Sequence, residues 1–161
     1  MNNAAPRISP SALASLPGFL ALGGGTGLAP KAPGTVGTLL GIPLVLLMPT
    51  SLPAYIAGLL VLIVVGVWCC SVSAKTLGVH DHPGIVWDEI VGFAVTMIAA
   101  PREILVFVLG FALFRVFDIL KPWPIGPVDR RVHGGLGIMA DDLIAGVFAA
   151  LGLQLILHLI G

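Results

Sequence analysis

Residues 52–71 read LPAYIAGLLVLIVVGVWCCS, an apolar run without a charged side chain. About twenty such residues are what an α-helix needs to cross the ~30 Å hydrocarbon core of a bilayer. The run lacks the regular apolar–polar alternation of a membrane β-barrel strand. It therefore predicts a membrane-spanning helix and an all-α fold class.

The composition of the whole chain agrees with this prediction. Of the 161 residues, 57% are hydrophobic and 10% are charged, and the mean hydropathy is +1.06. A typical soluble domain has about 25% charged residues, so too little polar surface remains here to cover a soluble core. Eight basic and eight acidic residues balance to zero net charge, which gives nucleic-acid binding no electrostatic support.

Other segments extend the predicted bundle. Three are long and apolar enough to be membrane helices: 84–100, 103–120 and 141–160. A shorter segment, 35–48, contains Gly41 and Pro43, so we expect a tilted or partial span there. Residues 9–22 are predicted to lie along the interface as a short helix. The predicted fold is a polytopic membrane helical bundle of four to five transmembrane or partial-span helices.

The chain is predicted to consist of an N-terminal lead-in, residues 1–32, and a membrane-embedded domain, residues 33–161. The lead-in has one early cation, Arg7, and an apolar patch that Pro17 and several glycines interrupt. This pattern is a poor signal peptide. We therefore expect the lead-in to remain part of the mature chain.

The basic residues predict the orientation. If all five segments cross the bilayer, one side carries most of the cations: Arg7, Lys31, Lys75, Lys121, Arg130 and Arg131. The other side has Arg102 alone. An excess of lysine and arginine in short loops marks the cytoplasm. The N-terminus and the loops 72–83 and 121–140 are therefore predicted to be cytoplasmic.

The acidic residues gather on the same side, although that rule does not concern acids. Seven of the eight lie at the predicted cytoplasmic ends of their segments: Asp81, Asp88, Glu89, Asp118, Asp129, Asp141 and Asp142. Structural explanations stay open for some of them. Asp141 and Asp142 open the last predicted helix and could cap it. Arg115 and Asp118 are three residues apart and could form a simple ion pair.

Asp88 and Glu89 are harder to explain as caps. Pro83 is a natural first-turn residue, which would place the pair about one turn inside the helix. Burying a carboxylate there costs about 2.5–3.5 kcal/mol, more than the ~0.3–1 kcal/mol that a helix dipole returns. Carboxylates from several helices at one depth need a compensating cation, and oxygen ligands indicate magnesium or manganese rather than zinc.

A glycine-rich entry precedes the segment 35–48. It contains Gly23-Gly24-Gly25-Thr26-Gly27 and then Pro33-Gly34-Thr35, which leads directly into a helix. Free backbone N–H groups and the dipole at a helix N-terminus favour phosphate. The entry matches neither the dinucleotide fingerprint nor a Walker loop, and a flexible lead-in to a membrane helix is the open alternative.

Histidines and cysteines complete the candidates. His80, His82 and His133 lie in the two long loops, where histidines are usually solvated and sometimes transfer protons. Cys69 and Cys70 are adjacent within the apolar run. Adjacent cysteines in such a run are expected to be packing residues rather than a disulfide or a metal site.

Four stretches between residues 33 and 146 share the order and spacing of a known family. They are Pro33-Gly34-Thr35 with Gly37; His80-Asp81-His82 with Val86-Trp87-Asp88-Glu89; Phe114-Arg115-Val116-Phe117-Asp118 with Lys121-Pro122-Trp123-Pro124-Ile125; and Asp129-Arg130 with His133-Gly134-Gly135, Gly137-Ile138 and Asp141-Asp142. In these stretches the chain resembles the phosphatidylglycerophosphatase A family of bacterial membrane phosphatases. The resemblance implies a magnesium-dependent enzyme of the bacterial inner membrane. It would convert phosphatidylglycerophosphate into phosphatidylglycerol and inorganic phosphate.

Residues and resemblance together predict the site. The acidic centre would bind Mg²⁺, directly or through water, and carry out catalysis with Asp88, Glu89, Asp118, Asp141 and Asp142. The phosphate would be bound by Gly34, Thr35, Arg115, Lys121 and Arg130. Expected partners are the phospholipid substrate and membrane lipids, with the oligomeric state left open. The alternatives are an ion- or proton-coupled transporter, which needs ionisable residues at several depths, and a non-catalytic subunit.

Overall fold

The computed structural model describes residues 8–79 and 82–160, and all regular structure within them is helical. The α-helices are α1 (Leu16–Ala21), α2 (Pro33–Leu47), α3 (Leu52–Leu77), α4 (Trp87–Thr96), α5 (Ile104–Leu120), α6 (Ile125–Arg131) and α7 (Gly134–Ile160). The predicted all-α class is therefore confirmed. Arg7, His80 and Asp81 lie outside the described residues, and so do the predictions that concern them.

Within the described ranges, two helices, α3 and α7, are long and apolar enough to cross a bilayer. Less than a third of the most apolar window of each is buried inside the molecule. Large apolar side chains such as Val61, Val64 and Leu151 are instead exposed on their outer faces, as expected for a surface that meets lipid rather than water. Helix α2 is apolar but shorter. These features are those of a membrane-associated protein.

Helix α4 is the short central helix of the bundle. Every residue from Ile90 to Thr96 is buried, because α2, α3 and α7 all pack against it. It is shorter than the predicted segment 84–100, and a turn follows it directly. Irregular backbone inside a membrane bundle must have its polar groups satisfied by neighbours. Tyr55 Oη accordingly donates to the Ala94 carbonyl at 2.7 Å, and Gln154 Nε2 donates to the Ile98 carbonyl at 3.0 Å.

Glycines set how closely α7 approaches its neighbours. A Cβ on Gly146 would overlap the Gly92 carbonyl of α4, and one on Gly135 would overlap the Val67 carbonyl of α3. The glycine-rich run that was predicted as loop is therefore the first part of α7, which begins at Gly134. The prediction that the acids of residues 141–142 open this helix was wrong, since they lie about two turns inside it.

The N-terminal segment packs onto the bundle. The predicted helix over residues 9–22 consists of a 3₁₀ turn, Pro10–Ala14, and α1, which Ser15 caps by accepting from the Gly18 N–H at 3.2 Å. Helix α1 lies against α3, and the Val86 N–H donates to the Ala21 carbonyl at 2.8 Å. The segment thereby helps to position the chain that leads into α4.

Candidate active site

Four helices meet at one end of the bundle around a cavity of about 260 Å³. The N-termini of α2 and α4, the C-terminal end of α5 and the early turns of α7 contribute its walls. Its charged lining consists of Asp88, Glu89, Arg115, Asp118, Lys121, Asp141 and Asp142. Five carboxylates thus face two cations, a formal excess of three negative charges. Gly34 also lines the cavity, whereas Thr35 and Arg130 do not.

Three of the carboxylates form a compact group, which we call the acidic triad: Asp88, Glu89 and Asp142. One oxygen from each lies within 4.8 Å of the other two. Helix α4 begins at Trp87 and not near Pro83, so the predicted position of Asp88 and Glu89 one turn further in was wrong. They lie in the first turn, where the helix dipole favours negative charge.

The triad fits a magnesium ion. Opposite ligands at 2.0–2.1 Å from one Mg²⁺ are about 4 Å apart, so oxygens that lie within 4.8 Å of one another could share one ion after a small movement of the side chains. Hard carboxylate oxygens are the ligands this ion prefers. Glu89 Oε2 is buried and accepts no hydrogen bond from the residues that the structure describes. Buried carboxylate oxygens normally have a hydrogen-bond donor or an ion beside them. A bound cation would take that place and would also offset the excess negative charge of the cavity.

Arg115 connects three helices at the cavity. Its Nη1 donates to Asp118 on the same helix and lies 4.0 Å from Glu89 Oε1 on α4. The same nitrogen lies 3.5 Å from Thr38 Oγ1 on α2. The ion pair considered from the sequence exists, but it is part of a wider network. Sequence reasoning missed Thr38, which lies one helical turn from Thr35 on α2.

Gly34 brings the backbone of α2 against this network. A Cβ at this position would overlap Glu89 Oε1 and lie 3.5 Å from Arg115 Nη1. Thr38 Oγ1 donates to the Gly34 carbonyl at 2.8 Å, and α2 begins with Pro33. The absence of a side chain at Gly34 therefore leaves room for the Glu89 carboxylate beside α2.

Lys121 lies at the C-terminal end of α5 between two acids. Its Nζ is 2.7 Å from Asp129 Oδ1 on α6 and 2.7 Å from Asp141 Oδ2 on α7. Burial alone would lower the pKa of Lys121, but hydrogen bonds to the two carboxylates raise it above its usual value. Asp129 was not among the predicted site residues, although it stands in the same run of charges as Arg130.

The remaining candidates lie further out. Arg130 is exposed on α6, and His133 is exposed in the turn before α7. His82 is buried but does not line the cavity, and its Nδ1 accepts from the Gly84 N–H at 3.1 Å. Cys69 and Cys70 are free thiols buried in the core, as predicted for packing residues.

Comparison with known proteins gives the family. The family model described as Phosphatidylglycerophosphatase A matches residues 19–157. The chain belongs to the phosphatidylglycerophosphatase A family. The matched range contains all ten predicted site residues. The predicted family is therefore confirmed.

Curated relatives agree with this membership. Phosphatidylglycerophosphatase A of Escherichia coli (strain K12) is 50% identical over 135 residues, which cover 82% of this chain and 78% of that protein. The protein of the same name from Haemophilus influenzae is 41% identical over 138 residues, with 83% of each chain covered. A Bacteroides thetaiotaomicron protein described as a candidate phosphatidylinositol-3-phosphatase is 38% identical over 143 residues, covering 83% of this chain and 89% of its own. The prediction that the chain is an enzyme of the phosphatase class is confirmed. No solved structure matches the chain significantly.

Proposed function

We propose that this chain is a Mg²⁺-dependent lipid phosphatase that hydrolyses the terminal phosphomonoester of phosphatidylglycerophosphate. The products would be phosphatidylglycerol and inorganic phosphate. The observation that carries the proposal is the acidic triad beside Arg115 in one cavity, in a chain with a relative at 50% identity that is named for this activity. The transporter alternative receives no support from the family.

The metal would be held by the acidic triad, with Asp118 and Asp141 bound directly or through water. A bound Mg²⁺ supplies Lewis-acid polarisation of phosphate oxygens and a lowered pKa for a coordinated water. The carboxylates hold this charge where the substrate phosphate enters. Lys121 and Arg115 limit the repulsion among the five acids of the cavity until substrate arrives.

The substrate phosphate carries nearly two negative charges at neutral pH. Arg115 offers a cation 4.0 Å from Glu89 of the triad, and its Nε is buried and has no acceptor in the described part of the chain. The N-terminus of α2, at Gly34 and Thr35, would add backbone N–H groups and its dipole. Lys121 would bind a phosphate oxygen by exchanging one of its two carboxylate partners, and the exposed Arg130 would attract the head group from outside the cavity.

The proposed membrane arrangement has four to five embedded helices and the cavity at the cytoplasmic face of the bacterial inner membrane. The cations at the cavity end favour this orientation under the positive-inside rule. At the opposite end, Arg102 donates to the Met48 and Pro49 carbonyls at 2.7 and 3.0 Å. Arg102 therefore caps the C-terminal end of α2 and is not placed to line an ion path.

Phosphate release from phosphatidylglycerophosphate by detergent-purified protein tests the proposal. We expect release with Mg²⁺, none with a chelator, and a loss of at least about 100-fold in Asp142→Asn and Asp118→Asn. Glu103→Gln is the matched control, because Glu103 is exposed at the opposite end of the bundle and its side chain caps nothing. All variants should keep the wild-type elution profile in size-exclusion chromatography.

Absence of release in several detergents and in lipid nanodiscs would refute the phosphatase assignment for this lipid. A parallel reaction with phosphatidylinositol 3-phosphate examines the activity suggested by the Bacteroides relative's name. Faster turnover of phosphatidylinositol 3-phosphate would change the proposed substrate but not the proposed roles of the metal and the site residues. Release that does not depend on a divalent cation would overturn the role of the acidic triad as metal ligands.

A further inference from the structure

A second cavity runs along the outside of the bundle between α2 and α5. We call it the α2–α5 groove, and its walls are Leu39, Ile42, Leu46, Phe107, Val108 and Phe111. It encloses about 380 Å³. It exists because α2 packs mainly on α4 and barely touches α5. Several wall residues are half exposed, so the groove opens towards the surroundings of the bundle.

Polar bridges mark the two ends of the groove. At the cavity end, Arg115 of α5 and Thr38 of α2 approach to 3.5 Å, and both belong to the network around the acidic triad. At the far end, Arg102 donates to the Leu46 carbonyl at 3.3 Å and to the Met48 carbonyl at 2.7 Å. The six wall residues between these ends are all apolar. Phe111 lies one helical turn before Arg115 on α5, so the apolar groove begins close to the charged network at the cavity.

The groove walls on α5 extend from Ile104 to Phe111, a rise of about 11 Å at 1.5 Å per residue. A lipid whose phosphate is bound at Arg115 could therefore lay part of one acyl chain along this stretch of α5 and the facing side of α2.

We propose that the α2–α5 groove binds one fatty acyl chain of the lipid substrate. This inference rests on the proposed function, since it needs a lipid whose phosphate reaches the cavity. The groove adds a contact that a water-soluble phosphomonoester cannot make. Recognition of the lipid is thereby divided between a charged cavity for the head group and an apolar groove for one chain.

Filling the groove tests the proposal. Val108→Trp places a large side chain in the wall, and Val61→Trp on α3 is the matched control, because the two valines are 59% and 61% exposed. Steady-state kinetics are compared for long-chain phosphatidylglycerophosphate and for its fully deacylated form, glycerophosphoglycerophosphate. Leu46→Trp is a second filling variant on α2, for use if Val108→Trp elutes as an aggregate.

The groove variant should raise the KM for the long-chain lipid about tenfold with kcat nearly unchanged, since uniform binding of substrate and transition state is lost. Both constants for the deacylated substrate should stay at wild-type values, and Val61→Trp should change neither substrate's kinetics. An equal effect of the two tryptophans, or an equal effect on the two substrates, would overturn the proposal.

A binding measurement separates failure of the groove from failure of the proposed function. Phosphatidylglycerophosphate with a diazirine in one acyl chain is photolysed in phosphatidylcholine nanodiscs that hold the wild-type protein, and the labelled peptides are identified by mass spectrometry. Label concentrated on the groove walls of α2 and α5, and reduced in Val108→Trp, supports the groove even if no phosphate is released. Label spread evenly over α3 and α7 as well would overturn it.

Discussion

Replacing Gly34 by alanine separates the chemistry of the site from the stability of the fold. An ideal Cβ at Gly34 would overlap Glu89 Oε1 and lie 3.0 Å from Glu89 Cδ. The obstructing atoms form the far end of a flexible side chain, so Glu89 can rotate away while the backbone of α2 stays in place. That rotation removes one oxygen from the acidic triad.

We expect Gly34→Ala to change the free energy of unfolding little and to lower the catalytic rate strongly. Alanine is favoured over glycine by up to about 1 kcal/mol inside a helix, which offsets part of the cost of moving Glu89. We therefore expect the free energy of unfolding to change by no more than about 1 kcal/mol, a Tm shift within ~4 °C. A displacement of about 1 Å at a reacting centre can cost ~100-fold in rate. Gly34→Ala should lower kcat/KM by about that factor.

The assay pairs phosphate release at saturating Mg²⁺ with thermal unfolding in the same detergent. Gly152→Ala is the matched control, because a Cβ there would meet only Leu113 side-chain atoms at 3.8 Å. It should be as active as wild type and at least as stable. Wild-type kcat/KM in Gly34→Ala would refute the argument that Glu89 must stay in place, and a Tm loss above about 10 °C would show that Gly34 serves packing instead.

Further expectations concern Lys121 and the α4–α7 contact. Asp129→Asn leaves Lys121 paired with the carboxylate of Asp141. The kcat/KM should fall about three- to tenfold with an unchanged Tm, and a Tm loss without a kinetic effect would contradict this. The pKa of Lys121 is raised, so its side chain stays protonated throughout the range from about pH 7 to pH 9. Lys121→Met should therefore lower kcat/KM by the same factor at every pH in this range. A factor that becomes smaller towards pH 9 would show that the lysine titrates there. Gly146→Ala would force a Cβ onto the Gly92 carbonyl. Overpacking of this kind should destabilise the fold by about 1–3 kcal/mol, as measured by thermal unfolding. Unchanged stability would show that α4 and α7 can move apart without loss of stability.

The helices were largely predictable because apolar runs are a local property of the chain. The predicted segment 103–120 corresponds to α5, Ile104–Leu120, and the predicted segment 52–71 lies within α3, Leu52–Leu77. Errors arose where a helix boundary depends on neighbours. Helix α7 includes its glycine-rich start because Gly135 can pack directly on the α3 backbone. Helix α4 can end early because Tyr55 and Gln154 donate to the carbonyls of Ala94 and Ile98 around its end.

The sequence by itself determined an apolar all-helical chain, its family and the residue types of the site. Eight of the ten predicted site residues line one cavity. Only the tertiary structure decided which acids meet: Glu89 and Asp142 are 53 positions apart, and their approach depends on how closely α4 packs on α7. Thr38 and Asp129 likewise joined the site through neighbours on other helices. The physical reason is that residue type follows from the chain locally, whereas the distance between charges on different helices is set by backbone packing.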